Sequence, residues 1–388
     1  MIRKVEITEF SKKLSFRADI VEKDYVLGWL LAGISAQKNL SQNLIFKGGT
    51  CLKKCHLETH RLSEDLDYTV LDKKYVDEDF LISSFKTVSD WVYEKSDIEM
   101  PKNLISFRKY KNKKGIISVR GKVGYRGPLL QKRNLPKIQL DITASEILVL
   151  KPVKLKVHHP YSDEPKTGIT AYCYSYVEAF AEKIRALGER ARPRDLYDIV
   201  CLLRNKSLLS DHELLLSTLK KKSDHKKMEM PNFKSIKAHK KIDELGTEWE
   251  SMLAHQLPLL PPLKIFWREL PSFFEWLNNR KDTEKSLKGI TKDGELWESG
   301  RMENIYSTNF ILEKIKFSAL NRLCVELLYE GKKATIEPYS FRKNEEGHIL
   351  FYGCHHKTKK TDSFKIEEIQ SLNITVKPFT PKYVVEIG

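Results

Sequence analysis

No run of apolar residues in the 388-residue sequence approaches the ~20 needed to cross a bilayer as a helix. A membrane-spanning helix is therefore excluded. The N-terminus, MIRKVEITEFSKK, lacks the apolar core of a secretory signal, and a cytoplasmic protein is expected. Cysteine is sparse: Cys51, Cys55, Cys173, Cys201, Cys324 and Cys354 are scattered along the chain. That spacing offers no disulfide framework and fits reduced, partly buried thiols. Cys51 and Cys55, with His56 and His60, are zinc-ligand types, but no second cysteine pair follows at zinc-site spacing. No zinc site is expected there. Internal repeats and long low-complexity tracts are missing as well. So are acidic residues between positions 106 and 137.

What is present points to a folded, basic protein. The length suits two or three domains, and 41% apolar and 10% aromatic residues support a real core. The net charge of +16 favours a polyanionic partner such as nucleic acid. Much of that charge falls in the acid-free stretch, which carries Arg108, Lys109, Lys111, Lys113, Lys114, Arg120 and Lys122 with Tyr110 and Tyr125 interleaved. It reads as one or two β-hairpins with a cationic face able to neutralise a nucleic-acid backbone.

The most informative stretch is FKGGTCLKKCHLETHRLSEDLDYTV, Phe46 to Val70. It reads as strand, glycine turn, short helix, strand. Gly48 and Gly49 let backbone N–H groups approach a phosphate, because no Cβ intervenes. A helix starting near Thr50 would point its positive end at that phosphate. Asp65 and Asp67 alternate with Leu66 and Tyr68, so both carboxylates share one strand face. Two like charges so close call for a cation between them, and Mg²⁺ with nucleotide phosphates is the usual one. The segment KIQLDIT at 137–143 alternates in the same way. If it lies beside residues 64–70, Asp141 completes a triad that can hold metal or take a proton from an attacking hydroxyl.

The remaining segments read as support. Residues 1–40 are helical, with Lys23 close to the apolar stripe of Ile20, Leu27, Leu30 and Ile34. Residues 76–97 form an amphipathic helix. Residues 172–204 hold two helices; Lys183 borders the stripe of the first and projects towards something anionic. Asp195 is placed either as the N-cap of the second helix or as a functional carboxylate, with Asp198 one turn on. Residues 207–282 are mostly helical, 280–304 are polar, and several short strands follow from Ile311.

These residues resemble the AbiEii/AbiGii nucleotidyltransferase toxin family of abortive-infection systems. The matching pieces are Glu22-Lys23-Asp24, Lys47-Gly48-Gly49-Thr50, Arg61-x-Ser63-x-Asp65-x-Asp67 and the strand ending at Asp141. Ser175 followed by Ala181-Glu182-Lys183, then Arg192-x-x-Asp195 with Asp198, continue the match, which covers about residues 1–280. The resemblance implies an α+β fold: a DNA polymerase β-like nucleotidyltransferase core with a helical part after it. It also implies a nucleoside triphosphate substrate, Mg²⁺, toxicity relieved by a cognate antitoxin and, for some members, addition of nucleotides to transfer RNA. Asp65 and Asp67 would hold metal, Ser63 and Thr50 would contact phosphate, Lys183 would steady the triphosphate, and Asp195 would serve catalysis. Thr50 stands where the family often has serine, and keeps the hydroxyl.

The last part, about 311–382, resembles a WYL domain through Ile336-Glu337-Pro338, Leu350-Phe351-Tyr352, Phe364 with Ile369, and Val376-x-x-Phe379. The Trp-Tyr-Leu signature is not intact, and Thr361, Asp362 and Ser363 replace the arginine expected before Phe364. The expected organisation is a catalytic core at 1–170, a helical domain at 171–282 completing the active site, a linker at 283–305 and a small barrel-type β domain at 306–388. The expected activity is Mg²⁺-dependent transfer of NMP to an acceptor hydroxyl, on RNA or tRNA. The alternatives are a catalytically degenerate sensor of nucleotide or nucleic acid, and transfer to a protein acceptor.

Overall fold

The structure, a computed structural model, describes all residues except 59–60, 112–114, 116, 132, 206–208, 210, 280–288, 291–309, 345 and 388. It divides into two compact units. The first comprises Met1–Arg190 and Leu208–Pro231; the second comprises Ala191–Ser207 and Asn232–Gly388. Among the described residues no helix is long and apolar enough to cross a membrane.

The first unit is built on a seven-stranded mixed sheet. Its strands are β1 (Leu44–Lys47), β2 (Asp65–Val70), β3 (Ile105–Lys111), β4 (Ile117–Gly124), β5 (Lys137–Thr143), β6 (Val153–Val157) and β7 (Ile169–Cys173). Their order is β3-β4-β5-β2-β1-β7-β6. β1 and β2 are antiparallel, whereas β2 runs parallel to β5 and β1 parallel to β7. The alternation read from the sequence has a direct consequence here. Phe46, Leu66, Tyr68, Leu140 and Ile142 point to one face and are all but fully buried, in one core with helices Ala18–Ala36 and Glu78–Ser96.

Helix Ala18–Ala36 is buried from Ile20 to Ile34 at every residue except Lys23, not along a stripe. Its two buried charged residues, Glu22 and Asp24, each have a partner. Asp24 pairs with the buried Lys54 at 2.7 Å and accepts from Tyr161 at 3.0 Å, and Glu22 accepts the backbone N–H of Leu129 at 2.5 Å. Helix Glu78–Ser96 begins where Asp77 caps it, accepting from the Phe80 N–H at 3.0 Å. Helix His212–His225 returns to this unit. Its Lys222, 2% exposed, reaches Glu178 at 2.7 Å and Glu182 at 3.2 Å on helix Tyr176–Arg190.

The second unit starts with helix Pro193–Arg204, which packs through Tyr197 on Phe266 of helix Leu263–Asn279, ring centroids 5.1 Å apart. Helix Phe310–Leu320 then covers a five-stranded antiparallel sheet. Its strands are β8 (Leu323–Tyr329), β9 (Lys332–Lys343), β10 (Ile349–His355), β11 (Thr361–Lys365) and β12 (Ile369–Pro378), ordered β11-β10-β9-β8-β12. Among the described residues β11 pairs with β10 alone and β12 with β8 alone. The sheet is therefore open, and the expected barrel closure is not formed. Most of the expected linker at 283–305 lies outside the described residues. Ile290 within it is buried beside Cys324, Tyr339 and Tyr352.

Candidate active site

Strand register sets the site. Lys47 pairs with Asp67, Asp67 with Asp141, Asp141 with Arg120, and Arg120 with Arg108. Residues paired across a sheet project to the same face. One row therefore crosses five strands as Lys47, Asp67, Asp141, Arg120, Arg108, on the face opposite the Phe46–Tyr68 core. Asp65, two residues before Asp67, joins the same face. Three carboxylates thus gather on two neighbouring parallel strands, flanked on both sides by cations.

The electrostatics show what this arrangement demands. Burial pushes the Asp67 carboxyl above its ordinary value, Asp141 and Asp65 push it further up, and Lys47 and Lys183 draw it down. The net upward shift means that the cations in place do not fully offset burial together with the neighbouring carboxylates. Burial disfavours charge on Lys47, but Glu146, Glu182 and Asp67 hold it above the usual lysine value, and Lys47 is ion-paired with Glu146. Asp141 is fixed by Tyr110, whose hydroxyl donates to its two oxygens at 3.1 and 3.0 Å. The Arg120 guanidinium stacks 4.9 Å from the Tyr110 ring centroid.

The glycine turn is locked to this row. Gly48 has φ +83°, and a Cβ there would stand 2.2 Å from Asp67 Oδ2. A Cβ on Gly49 would stand 2.6 Å from the Arg61 Nη2. The pair therefore admits the Asp67 carboxylate and the buried Arg61 guanidinium against bare backbone. The helix begins at Gly48, earlier than the Thr50 expected, and passes at Leu52–His56 into a π-turn. Thr50 is 1% exposed and its hydroxyl donates to the Asp65 carbonyl at 2.5 Å, which ties the helix to the start of β2. Ser63 is half-buried in the segment before β2. Next to it Glu64 pairs with Lys23 at 2.9 Å, so Lys23 is held by an ion pair at the rim of the acidic strand.

Residues 29–279, more than half of the chain, match the family described as "Nucleotidyl transferase AbiEii toxin, Type IV TA system". The chain belongs to the AbiEii nucleotidyltransferase toxin family. It is thus a nucleotidyltransferase of the toxin–antitoxin kind, and the family implies a nucleoside triphosphate substrate and a cognate antitoxin. Among solved structures it is similar to MenT4, a nucleotidyltransferase toxin from Mycobacterium tuberculosis H37Rv, at 16% identity over 74% of this chain and 92% of that one, with a TM-score of 0.48. No curated protein sequence matches the chain.

The other AbiEii motif residues are placed as follows. Lys183, on helix Tyr176–Arg190, is 8% exposed and close enough to stabilise the Asp67 charge. Asp195 and Asp198 lie on helix Pro193–Arg204 of the second unit, both fully buried. Arg192 occupies the cap position and Asp195 the first turn, so the N-cap reading of Asp195 does not hold. The basic set divides by strand face. Arg108, Arg120 and Lys122 share the carboxylate face. Lys109 and Lys111 project to the other, where Lys109 pairs with Asp77 at 3.1 Å. Lys113 and Lys114 lie outside the described residues.

Sequence reasoning missed the contact of Tyr110 with Asp141 and that of Glu146 with Lys47; Arg61 was named as a motif residue but its place against Gly49 was not read. Tyr110 had a signal: it alternates with Arg108 on one strand, so a hairpin beside β5 brings both to the face of Asp141. Glu146 is in a loop, where no periodicity marks a direction, and the same holds for the direction of Arg61.

Proposed function

We propose that the chain transfers a nucleoside monophosphate from a nucleoside triphosphate to a hydroxyl on RNA, with tRNA as the leading acceptor. The observation that carries this reading is the alignment of Asp67 with Asp141, with Asp65 on the same face and Asp67 held above its ordinary pKa. Such a cluster is poised for a divalent cation, and its donors are all carboxylate oxygens, which suit Mg²⁺. Asp65, Asp67 and Asp141 would hold that ion, and when bound it supplies charge neutralisation at the phosphates.

The remaining work falls to the chain's own groups. Gly48 and Gly49 offer backbone N–H groups to phosphate oxygens, and Ser63 adds a hydroxyl. Lys183 and Lys47 supply positive charge where the pyrophosphate leaves, as positioning and charge neutralisation dominate phosphoryl transfer. Asp141, oriented by Tyr110, accepts the proton of the acceptor hydroxyl as it attacks the α-phosphorus. Asp195 is assigned to catalysis on the family motif alone. Arg108, Arg120 and Lys122 continue the same sheet face with exposed cations, which supports an RNA backbone beside the reacting end. The open sheet carries the WYL-like segments: Ile336–Pro338 on β9, Leu350–Tyr352 on β10, Phe364 on β11. We assign it to that class and the whole chain to phage defence in the cytoplasm.

The test is incubation of the full chain with total RNA, Mg²⁺ and each labelled triphosphate. Label in RNA that disappears with Asp67→Ala supports the reading. Binding of triphosphate without incorporation into RNA points to a sensor, and label in protein points to a protein acceptor; either result overturns it.

A further inference from the structure

The reverse face of the same sheet carries a second cluster of metal-ligand types. The sulfur atoms of Cys51, Cys55 and Cys173 all lie within 4.8 Å of one another. Sulfur atoms around a tetrahedral zinc ion are about 3.8 Å apart, given Zn–S of about 2.3 Å. Closing the difference takes small side-chain rotations. Cys51 and Cys173 are buried and Cys55 is half-buried, which leaves one side open to solvent.

Three separate elements converge here. Cys51 ends the helix that starts at Gly48, and Cys55 and His56 lie in the π-turn after it. In that turn the Leu57 N–H reaches back to the Leu52 carbonyl at 2.7 Å. Such widened turns occur mostly as single insertions at functional sites. Cys173 closes β7 in register with Phe46, which pairs with Tyr68. The cluster therefore lies behind the sheet, one residue along from the Lys47–Asp67 row and on the other side of it.

Two further observations point to a ligand. The His56 Nε2 lies 2.9 Å from the carbonyl of Tyr174, the residue after Cys173. With Nε2–H donating to that carbonyl, Nδ1 is the ring nitrogen that carries the lone pair. A backbone carbonyl fixing the tautomer in this way is the usual outer partner of a metal-bound histidine. In addition, among the described residues the buried Tyr68 hydroxyl has no hydrogen-bond partner, and it lies close enough to Cys51 and Cys55 to respond to their charge. A buried phenol without a partner is costly, and a thiolate sulfur there would accept from it.

We propose that Cys51, Cys55 and Cys173 bind a zinc ion, and that His56, which lies outside the 4.8 Å group formed by the three sulfurs, swings in to close the fourth position. The soft thiolate set favours Zn²⁺ over the hard cation suited to the opposite face. One sheet would then separate a soft site behind from an oxygen-lined site in front, and the helix that begins with Gly48 and Gly49 would be clamped by the zinc. The inference does not depend on the transferase reading.

The test uses the full chain purified under reducing conditions, with metal content measured by mass spectrometry. The apo protein is then titrated with Co²⁺. The expected result is about one zinc per chain and, with Co²⁺, thiolate charge-transfer and tetrahedral d–d bands. Cys173→Ser should lower zinc affinity at least about 100-fold, and His56→Gln about 10- to 100-fold. Cys201→Ser and Asp67→Asn should leave zinc binding unchanged, which separates this site from the carboxylate face. Reduced apo protein that binds neither Zn²⁺ nor Co²⁺ through sulfur would make the cluster mere thiol packing. A Cys51–Cys55 or Cys55–Cys173 disulfide in the freshly isolated chain would make it a redox pair, and either result overturns the proposal. The Co²⁺ spectrum is read on the unmutated chain, so a variant that fails to fold does not obscure the answer.

Discussion

Replacing Gly48 with alanine tests whether the turn and the carboxylate row are one device. Gly48 has φ +83°, and an L-residue forced into left-handed backbone loses about 1–2 kcal/mol. The new methyl group would also stand 2.2 Å from Asp67 Oδ2 and 3.0 Å from Asp67 Cβ and Cγ. Overpacking of that kind costs about 1–3 kcal/mol, so Gly48→Ala is expected to destabilise by about 2–5 kcal/mol in all. The Asp67 carboxylate can escape the clash only by rotating out of line with Asp141, so transfer should fall by about 10²- to 10³-fold. A double-mutant cycle divides the two contributions. In an Asp67→Ala background the carboxylate is gone, the backbone part of about 1–2 kcal/mol and the 3.0 Å contact with the remaining Cβ persist, and the coupling energy should be about 1–3 kcal/mol. Hydrogen exchange in urea, read on peptides from β1 and β2, reports the first unit separately from the second. Gly48→Ala within about 0.5 kcal/mol of the parent, with full activity, would refute the link; so would a coupling energy near zero.

Other outcomes follow from the same geometry. Asp67 binds its proton more tightly folded than unfolded, so its contribution to stability is present below the ordinary value of 3.8 and is lost as pH rises through the raised folded value. In metal-free buffer at neutral pH, Asp67→Asn should therefore melt above the parent while transfer activity disappears, and added Mg²⁺ should raise the melting temperature of the parent alone. Lys183→Ala should weaken triphosphate binding at least about tenfold by calorimetry; unchanged affinity would make Lys183 structural. Lys222→Ala would leave Glu178 and Glu182 buried without their shared cation and should destabilise the first unit by about 3–5 kcal/mol in denaturant titrations. Arg120→Ala and Lys122→Ala should each lower the slope of log K for RNA against log salt by about 0.7, whereas Lys109→Ala, paired with Asp77 on the other face, should change it less.

The parts legible in the sequence were those written in local pattern. Period-two alternation over 65–70 and 137–143 and the glycine pair between two apolar runs specified strand, turn and the direction of Asp65, Asp67 and Asp141, and β2 and β5 are neighbours in register. What could not be read depended on distant packing. Helix Ala18–Ala36 carries Glu22 and Asp24 in its buried length, so periodicity pointed to a stripe when partners on Lys54, Tyr161 and Leu129 allow full burial. Cys173 is remote in sequence from Cys51 and Cys55 and meets them only because β7 lies against β1. The basic hairpin was read as one cationic surface, but strand alternation sends Arg108 and Lys109 to opposite sides.

The return of residues 208–231 to the first unit has a bearing on how a poisonous enzyme is made. A nascent chain that has emerged only to Arg190 holds every carboxylate of the row. It still lacks Lys222, so the fully buried Glu178 is without its counter-ion and Glu182 keeps only part of its compensation, from Arg185. The ribosome must therefore deliver the first helix of the second unit before the first can be completed. An aborted translation product ending between these points would carry the whole carboxylate row in a first unit whose buried Glu178 is not neutralised.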